Sequence, residues 1–570
     1  MNLRGQCLVP GTASAELLYS STGLSFWGGV DPSTGRIVDH HHPLNGQSIV
    51  GRVLAIPCGR GSCSGSTVML ELLLNQHAPA ALIFEQPEQI LTLGVLVGNA
   101  LFSQSIPVLI LSPADFIHLR THPFAAIRGD QVSLSETPLP RLSLLPDPLP
   151  STIALTPADE ATLAGHHGAA SKIALEIILS FAAIQGAEAL LDVSRAHIDA
   201  CIYTGPASLA FARKFLAMGA RFVLPTTLNA ISIDQRRWRE LGIDQALAHD
   251  ADALATTYLA MGAQPSFTCA PYTLDGGPQP GEDIGWSESN AVVFANSVLG
   301  AHTQKYPDFL DVCIALTGRA PLAGCHLPEG RRPAVRVDVT AAAVALKPGN
   351  DAVFPLLGYA VGKYAQHRIP LVWGVDSLGG MRVDLKAFSA AFGTSASAAM
   401  FHIKGVTPVA AQFEKIEDEL PREEIGLEDL AECWESLNSA RDSSVGLVSL
   451  GNPHFSLEEF ARLAGLCIGR RKSPSVEFIV TTSRDTYDRA RTAGHLAVLE
   501  AFGASIITDT CWCMLGEPVI APSVRNIMTN SAKYAHYAPG MVNRGVHFGS
   551  LRQCVDAACG GECIAVPPWG

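Results

Sequence analysis

The runs VGLVSLG (residues 445–451), SLEEFARLAGLCIG (456–469), SVEFIVTT (475–482), DRARTAGHLAVLEAFG (488–503) and ASIITDT (504–510) decide the fold class of this chain. Short apolar runs alternate here with stretches of helical spacing, the pattern of α/β layers built on largely parallel sheets. The same alternation starts earlier. Residues 158–185 have helical periodicity and several alanines, 200–204 read as a strand, SLAFARKFLAMG (208–219) as a helix and RFVLPT (221–226) as the next strand. In such sheets ligands gather where strands end at their carboxyl side. That rule selects Thr204 and Gly205, residues 226–229, Gly451 to His454, and Thr508 to Cys513 before any motif is consulted.

Upstream the character changes. QSIVGRVLAIP (47–57), AALIFEQ (80–86) and SIPVLIL (105–111) read as buried strands, and GRGSCSGS (59–66) leads into the helical run TVMLELLLNQH (67–77). This is a small β-rich domain with a strand–glycine loop–helix unit at its centre. ETPLPRLSLLPDPLPST (136–152) carries five prolines, which suit neither a helix nor a central strand, so it reads as a linker. Thr156-Pro157-Ala158-Asp159 then gives a helix start with an N-cap, a proline at N1 and an acid in the first turn. The expected division is 1–135, a linker over 136–152, and a larger α/β part over 153–570 whose last subdomain covers about 440–570.

Composition narrows the function. Hydrophobic residues make up 48% and charged residues 16% of 570, as in a well-buried globular protein, and the net charge of −13 disfavours a nucleic-acid surface. MNLRGQCLVPGTASAE has no apolar h-region, and the uncharged stretch 89–114 contains Asn99, Gln104 and Pro107, which fit buried strands and a packed helix better than a membrane span. A cytoplasmic protein is expected. Its 14 cysteines should then be reduced thiols, mostly small buried apolar residues, with a few free for metal or catalysis.

Three segments hold the candidate chemistry. In the glycine loop the backbone can approach a ligand closely, and the helix start offers N–H groups and a positive dipole end to an anion such as a carboxylate. The competing reading is a tight turn with serine caps; without the lysine of a GxxxxGK[ST] loop, nucleotide binding is disfavoured. Cys269 lies in a long segment rich in Gly, Pro, Asn and Ser (266–303), and such structured loops are usually functional. Cys511 and Cys513 follow a strand end, and Cys554 lies near the C-terminus. None of these spacings is a ferredoxin or zinc-finger signature, so spacing leaves buried packing open for each cysteine.

Taken in order, GRGSCSGS, TCAPY, GWSESNAVVFANSVLGAHT, TGRAPLAGCH, TDTC and SAKYAHYAPG followed by Gln553-Cys554 resemble the aconitase X family over nearly the whole chain. The resemblance implies an aconitase-like multi-domain α/β body with a small β-rich N-terminal swivel domain. It also implies an iron–sulfur cluster (2Fe–2S, 3Fe–4S or 4Fe–4S) held by three cysteines. Carried over by position, Cys269, Cys511 and Cys554 are the implied ligands, with Cys325 and Cys513 in reserve, and Ser66 matches the family's serine base. Lys533 would pair with a carboxylate in the catalytic set, though as a plain sequence feature it is equally an exposed helix lysine. Ser64, Gly65, Thr204, Ser289, Asn290 and Asn296 would contact substrate, with His454 as a weaker proton-shuttle candidate. His166 and His167, within a Gly-His-His-Gly where a glycine–acid–glycine pattern is expected, would tune the substrate.

Chemically this suits a dehydratase. Removing water from a β-hydroxy acid needs a base at the α-carbon and help for a poor leaving group, which an open-sided cluster gives as a Lewis acid. The family implies dehydration of cis-3-hydroxy-L-proline in single-chain members and of mevalonate 5-phosphate in two-subunit ones. Fusion of both parts in this chain favours the first, and no Arg/Lys cluster beyond Arg60 accompanies the glycine loop to receive a phosphate. The expected partner is a small hydroxy acid, with no nucleic acid or membrane, and the protein a monomer or small homo-oligomer. Readings of other classes are an iron–sulfur sensor on the same scaffold and a metal-free α/β protein with structural cysteines.

Overall fold

The computed structural model describes residues 1–570 except 40–41, 61, 141–152, 376–377, 380–381 and 564, so most of the Pro-rich segment lies outside the described residues. The chain divides into two compact units. One contains residues 1–226, 260–262 and 306–323, and the other contains 227–259, 263–305 and 324–570.

The first unit carries an eight-stranded mixed sheet of β1 (Asn2–Arg4), β2 (Gln6–Val9), β3 (Thr12–Tyr19), β4 (Val53–Ala55), β5 (Ala81–Phe84), β6 (Val108–Ile110), β7 (Phe124–Arg128) and β8 (Gln131–Ser135), in the order β1-β8-β7-β3-β4-β5-β6-β2. Its centre, β3-β4-β5-β6, is parallel, and its flanks are antiparallel. Strands β4 and β5 are buried on both faces, as the inner strands of a covered parallel sheet are. Val53, Ala55 and Ile83 join one apolar cluster, while Leu54, Leu82 and Phe84 join the other beneath α1 (Gly65–Leu74) and α2 (Ile90–Phe102). The two helices touch closely at Gly94. A Cβ there would stand 2.6 Å from the Ser66 carbonyl oxygen and 2.8 Å from Met69 Cβ. The glycine is what lets α2 fix the first turn of α1.

Downstream, α3 (Ala169–Ile184) and α4 (Pro206–Ala217) belong to the same unit. Local structure here departs from the sequence reading in three places. The helix expected over 158–185 is two, Pro157–Leu163 and α3, because Gly165 and Gly168 take φ of +87° and +90° and break the rod. The predicted cap stands, since Thr156 and Asp159 form a capping box. The strand expected at 200–204 sits at Ala196–Ile198 instead, since the amides of Asp199 and Ala200 are taken by the Asp311 carboxylate rather than by a ladder. RFVLPT is not a strand: Phe222 and Val223 bond separate carbonyls, Met261 and Ala315, and Pro225 has no donor.

The second unit holds two all-parallel sheets. Strands β9 (Val335–Asp338), β10 (Pro370–Trp373), β11 (His402–Ile403) and β12 (Arg422–Glu424) pair in the order β11-β10-β9-β12. Strands β13 (Leu447–Leu450), β14 (Glu477–Thr482), β15 (Ser505–Thr508), β16 (Asn526–Thr529) and β17 (Gly545–Phe548) pair as β15-β14-β13-β16-β17, the arrangement expected from the alternating runs. Helices α5 (Val353–Ala365), α6 (Arg382–Ser395), α7 (Leu457–Cys467), α8 (Ala532–Val542) and α9 (Leu551–Gly560) belong to this unit. The helix expected over 488–503 is again two pieces, Arg484–Thr492 and His495–Phe502, separated at Gly494. Gly451, just past β13 at φ +96°, lies where a Cβ would stand 2.2 Å from the Thr481 carbonyl oxygen, so only glycine lets the chain leave the sheet there. Among the described residues no helix is long and apolar enough to cross a membrane.

Gly94→Ala should shift the urea midpoint down by the equivalent of about 1–3 kcal/mol, the usual cost of overpacking a tight contact. A midpoint equal to wild type would show that α1 and α2 do not need the close approach.

Candidate active site

Three strands of the last sheet end in loops that converge. The loop after β13 brings Asn452 and His454, the loop after β15 brings Cys511 and Cys513, and β16 runs through Asn530 and Ser531 into α8, which carries Lys533. Cys269 arrives from the segment after Thr268, whose amide is anchored on the Leu228 carbonyl. Ala230, Cys269 and Cys511 pack together with Cys513 against them. Cys511 interacts with both of the other thiols, Cys269 and Cys513. The bond to Cys269, with burial added, pushes the Cys511 thiol up to about 12. Cys513 is raised well above the ordinary thiol range by its bond to Cys511 and by burial.

One buried cation faces this group. Lys533 Nζ donates to Glu288 Oε1 at 2.8 Å. Burial works against the ammonium charge, but Glu288 and the three sulfurs outweigh it and hold the lysine well above its ordinary range. Glu288 itself sits at φ +76°, caps the short helix Ser289–Phe294 through the Ala291 amide and accepts from Asn290 Nδ2. Asn290 also donates to the Cys269 carbonyl at 3.0 Å and accepts from Tyr272 Oη at 2.7 Å. The predicted Asn290 thus ties the Cys269 loop to the ion pair. Ser289, beside it, is the first residue of the short helix and is buried.

His454 braces two cysteine loops at once. Its backbone amide donates to Cys269 Sγ at 3.3 Å, and its ring Nε2 stands 2.8 Å from the Thr510 carbonyl next to Cys511. Burial first, then the nearby Lys386 charge, pushes the imidazole down to about 4. That is a brace's geometry rather than a shuttle's. Asn452 Nδ2 donates to Cys513 Sγ at 3.3 Å.

Around the thiols, four buried polar atoms have no hydrogen-bond partner: Asn452 Oδ1, His454 Nδ1, Thr510 Oγ1 and Tyr534 Oη. Native interiors leave few such atoms, so their concentration marks a place for a bound group. Three soft sulfur donors beside a buried cation, two of them buried and the third half-buried, fit an iron–sulfur centre. No three His, Cys, Asp or Glu side chains among the described residues already close around a point as a finished metal shell. The fit is therefore one of donor chemistry and orphaned polar atoms.

Other predicted ligands lie elsewhere in this unit. Cys554 is on α9, buried in the apolar layer with Val448, Leu450 and Leu551, and is not brought to the other cysteines; the reserve Cys513 stands in its place. Cys325 contacts the Gly330 carbonyl, and burial raises its thiol to about 11. Asn296 is saturated by Thr303, Ala399 and Arg331, so it acts as a structural staple.

In the first unit, Ser66 is fully buried in the opening turn of α1, with Ser64 as N-cap and Gly65 beginning the helix. Its hydroxyl has the Cys63 and Asp308 carbonyl oxygens as partners, each at 3.0 Å. Both are acceptors, so they hold the proton on the serine rather than remove it. Asp308 belongs to a buried acidic trio with Asp199 and Asp311 that sequence reading missed. Burial, then Asp199 and Asp311, keep the Asp308 carboxyl well above its usual range, and burial lifts Asp311 to about 6. The available signal was two acids inside the apolar run DFLDVCIAL (308–316). Thr204 Oγ1 is buried without a partner. His166 and His167 occupy an exposed turn, where His167 Nδ1 meets Thr162 Oγ1 at 2.8 Å, and neither contacts Ser66.

Lys533→Met should leave the Glu288 charge buried and unpaired, lowering stability by about 3–5 kcal/mol in denaturant unfolding. The double variant Lys533→Met/Glu288→Gln should regain much of that loss. Failure of the second change to restore stability would remove the ion pair from its structural role.

The chain matches models for the aconitase X swivel domain over residues 2–135, first domain over 152–329, second domain over 333–435 and third domain over 445–560. It is 52% identical over 569 residues to a cis-3-hydroxy-L-proline dehydratase of Pseudomonas aeruginosa, covering 99% of this chain and 97% of that protein. It is also 52% identical over 572 residues to the protein of that name in Hypocrea jecorina, covering 98% and 95%. The crystal structure of Thermococcus kodakaraensis aconitase X in its holo-form superposes with a TM-score of 0.64 at 31% identity, covering 71% of this chain and all of that one. With matched domains from end to end and a mixed α/β architecture in common, the chain belongs to the aconitase X family.

Proposed function

We propose that this protein is a hydro-lyase that dehydrates cis-3-hydroxy-L-proline to Δ1-pyrroline-2-carboxylate. The observation that carries the reading is the end-to-end match, fused small and large parts included, to the Pseudomonas aeruginosa enzyme of that name. Cys269, Cys511 and Cys513 would hold an iron–sulfur cluster, with Cys513 replacing Cys554 in the expected set. When bound, such a cluster supplies a Lewis acid for a poor leaving group.

The chain's own residues account for the rest. Ser66 takes the Cα proton as the C3–OH bond breaks and the ring gains a C=C bond. The proton that Ser66 released on becoming the alkoxide joins the leaving hydroxide, which departs as water, and the enamine tautomerises to the imine. To act as base the serine must give up a carbonyl partner, and its place in the opening turn of α1 stabilises the alkoxide that forms. Lys533 keeps its charge and supplies positive potential beside a substrate carboxylate. His454 and Asn290 act through the cysteine loops, holding Cys269 and Thr510 in place, and so are positioning residues.

The partner that follows is a small hydroxy acid, with no nucleic acid or membrane, and the protein is a monomer or small homo-oligomer in the cytoplasm. All 14 cysteines are unpaired thiols, which supports a reducing compartment. The sensor reading predicts a cluster without turnover, and the metal-free reading a colourless protein.

Anaerobically purified protein should contain iron and sulfide and consume cis-3-hydroxy-L-proline; an iron-free, inactive protein would overturn the reading. Ser66→Ala should abolish turnover with the cluster absorbance intact, and normal turnover would remove Ser66 from the base role. Cys513→Ser should lose iron while Cys554→Ser retains it. The reverse pattern would reinstate the C-terminal cysteine as ligand.

A further inference from the structure

Two residues of the second unit stand two places before a proposed cluster cysteine and have a left-handed backbone. Phe267 precedes Cys269 at φ +39°, and Asp509 precedes Cys511 at φ +69°. Both are fully buried. Neither is a glycine, and a bulky phenylalanine suits that region poorly, so each conformation must be held by its surroundings. One side chain reaches both. Arg484 donates from Nε to Asp509 Oδ1 at 2.6 Å and from Nη2 to Asp509 Oδ2 at 2.8 Å, a two-pronged bond that fixes the carboxylate in direction as well as distance. Its guanidinium carbon lies 5.0 Å from the centre of the Phe267 ring, within cation–π range. Topology explains how one residue does this. Thr482 and Thr508 pair at the carboxyl ends of β14 and β15, so Arg484 and Asp509 leave the sheet side by side. Arg484 opens the helix Arg484–Thr492, where the helix dipole disfavours a cation; its place is set by Asp509 rather than by the helix. The Asp509 carbonyl in turn accepts from the Ile231 amide at 2.7 Å, next to Ala230, which packs on Cys269 and Cys511.

We propose that Arg484 is a positioning residue that holds the Cys269 and Cys511 loops at the spacing their shared group needs. It acts through Phe267 and Asp509. His454 ties the same two loops through the Cys269 sulfur and the Thr510 carbonyl, whereas Arg484 sets the backbone ahead of each cysteine. Lysine is no substitute: an ammonium carries the charge but not the planar fork that binds a carboxylate at two points and lies against a ring. The inference rests on the iron–sulfur reading for what the loops hold, while the clamp is a property of the chain alone.

The test compares the wild-type holoenzyme with Arg484→Lys and with Arg484→Met/Asp509→Asn. The double variant leaves no unpaired charge at position 509, and asparagine tolerates the left-handed backbone there. Two rates are read under anaerobic conditions. One is the loss of iron to a chelator. The other is alkylation of Cys269, Cys511 and Cys554 by N-ethylmaleimide in the chelator-treated samples, resolved by peptide mass spectrometry. Cys554, buried in the apolar layer, is the internal control. Both variants should lose iron about 10–100-fold faster, the usual cost of removing a group that orients metal ligands. Cys269 and Cys511 should alkylate faster together, while Cys554 keeps its wild-type rate. Wild-type iron loss or wild-type alkylation in either folded variant of an iron-binding enzyme would overturn the clamp. So would faster alkylation at one of the two cysteines alone, or an equal rise at all three thiols, which marks general loosening. If the double variant does not fold, Arg484→Lys, which keeps the charge pair, decides. If the wild-type protein binds no iron, the iron–sulfur reading falls, and the alkylation rates by themselves uphold or overturn the clamp.

Discussion

The buried pair of Lys533 and Glu288 is the constraint on which the second unit's site is organised. Neither charge could stand in that interior alone, because the desolvation of an isolated ion there costs far more than any single contact returns. Pairing them fixes the start of α8 against the segment that carries Asn290, and Asn290 fixes the carbonyl of Cys269. One ion pair thus sets the distance between a helix from the last sheet and a cysteine more than 260 residues earlier in the chain. Glu288 adopts a left-handed backbone to make the bond, a strained conformation that persists only where its surroundings over-determine it.

The thiols depend on the same cation. Three sulfurs in contact cannot all ionise without compensation, and burial with mutual hydrogen bonding keeps Cys511 and Cys513 protonated. Lys533 favours the thiolate at each. Thiolate is the form a metal needs, so the lysine lowers the cost of releasing those protons. His454 serves the arrangement differently. With Nε2 spent on Thr510 and its amide on Cys269, it clamps two loops from different parts of the chain, which is why a histidine that a strand-end rule selects turns out to be a brace.

The parallel architecture was legible because it is written in local period. Runs such as VGLVSLG and SVEFIVTT carry consecutive apolar residues (Leu447–Val448, Phe478–Val480), as strands covered on both faces do, and the glycine and cap signals bounded the helices between them. The strand-end rule placed Asn452, His454, Cys511 and Cys513 in one region with no motif at all. What local pattern does not encode is which distant side chains meet. Cys554 entered through motif order, yet its helix turns the thiol into the apolar layer with Val448 and Leu450. Glu288 was passed over beside Ser289 and Asn290 because nothing in ESN says that a lysine 245 residues later will neutralise it. The turn at 200–204 was misread for a similar reason: its first amide, with that of Asp199 before it, is claimed by Asp311, a partner invisible in the run itself.

That carboxylate shows how the first unit solves the opposite problem. Asp199, Asp308 and Asp311 are buried together, and after burial itself Asp199 and Asp311 raise the Asp308 carboxyl further. Like charges so close do not all ionise readily, so at least one carboxyl keeps its proton into a range where a free aspartate has lost it. For an acid whose folded pKa is raised, the native state binds more protons than the unfolded chain above about pH 4. The contribution of Asp308 and Asp311 to stability is therefore greatest at low pH and falls as pH rises toward the Asp311 value of about 6 and beyond it toward that of Asp308. The backbone of Asp308 is what Ser66 leans on, so the segment that holds the serine carries a carboxyl whose ionisation burial and two neighbouring acids disfavour.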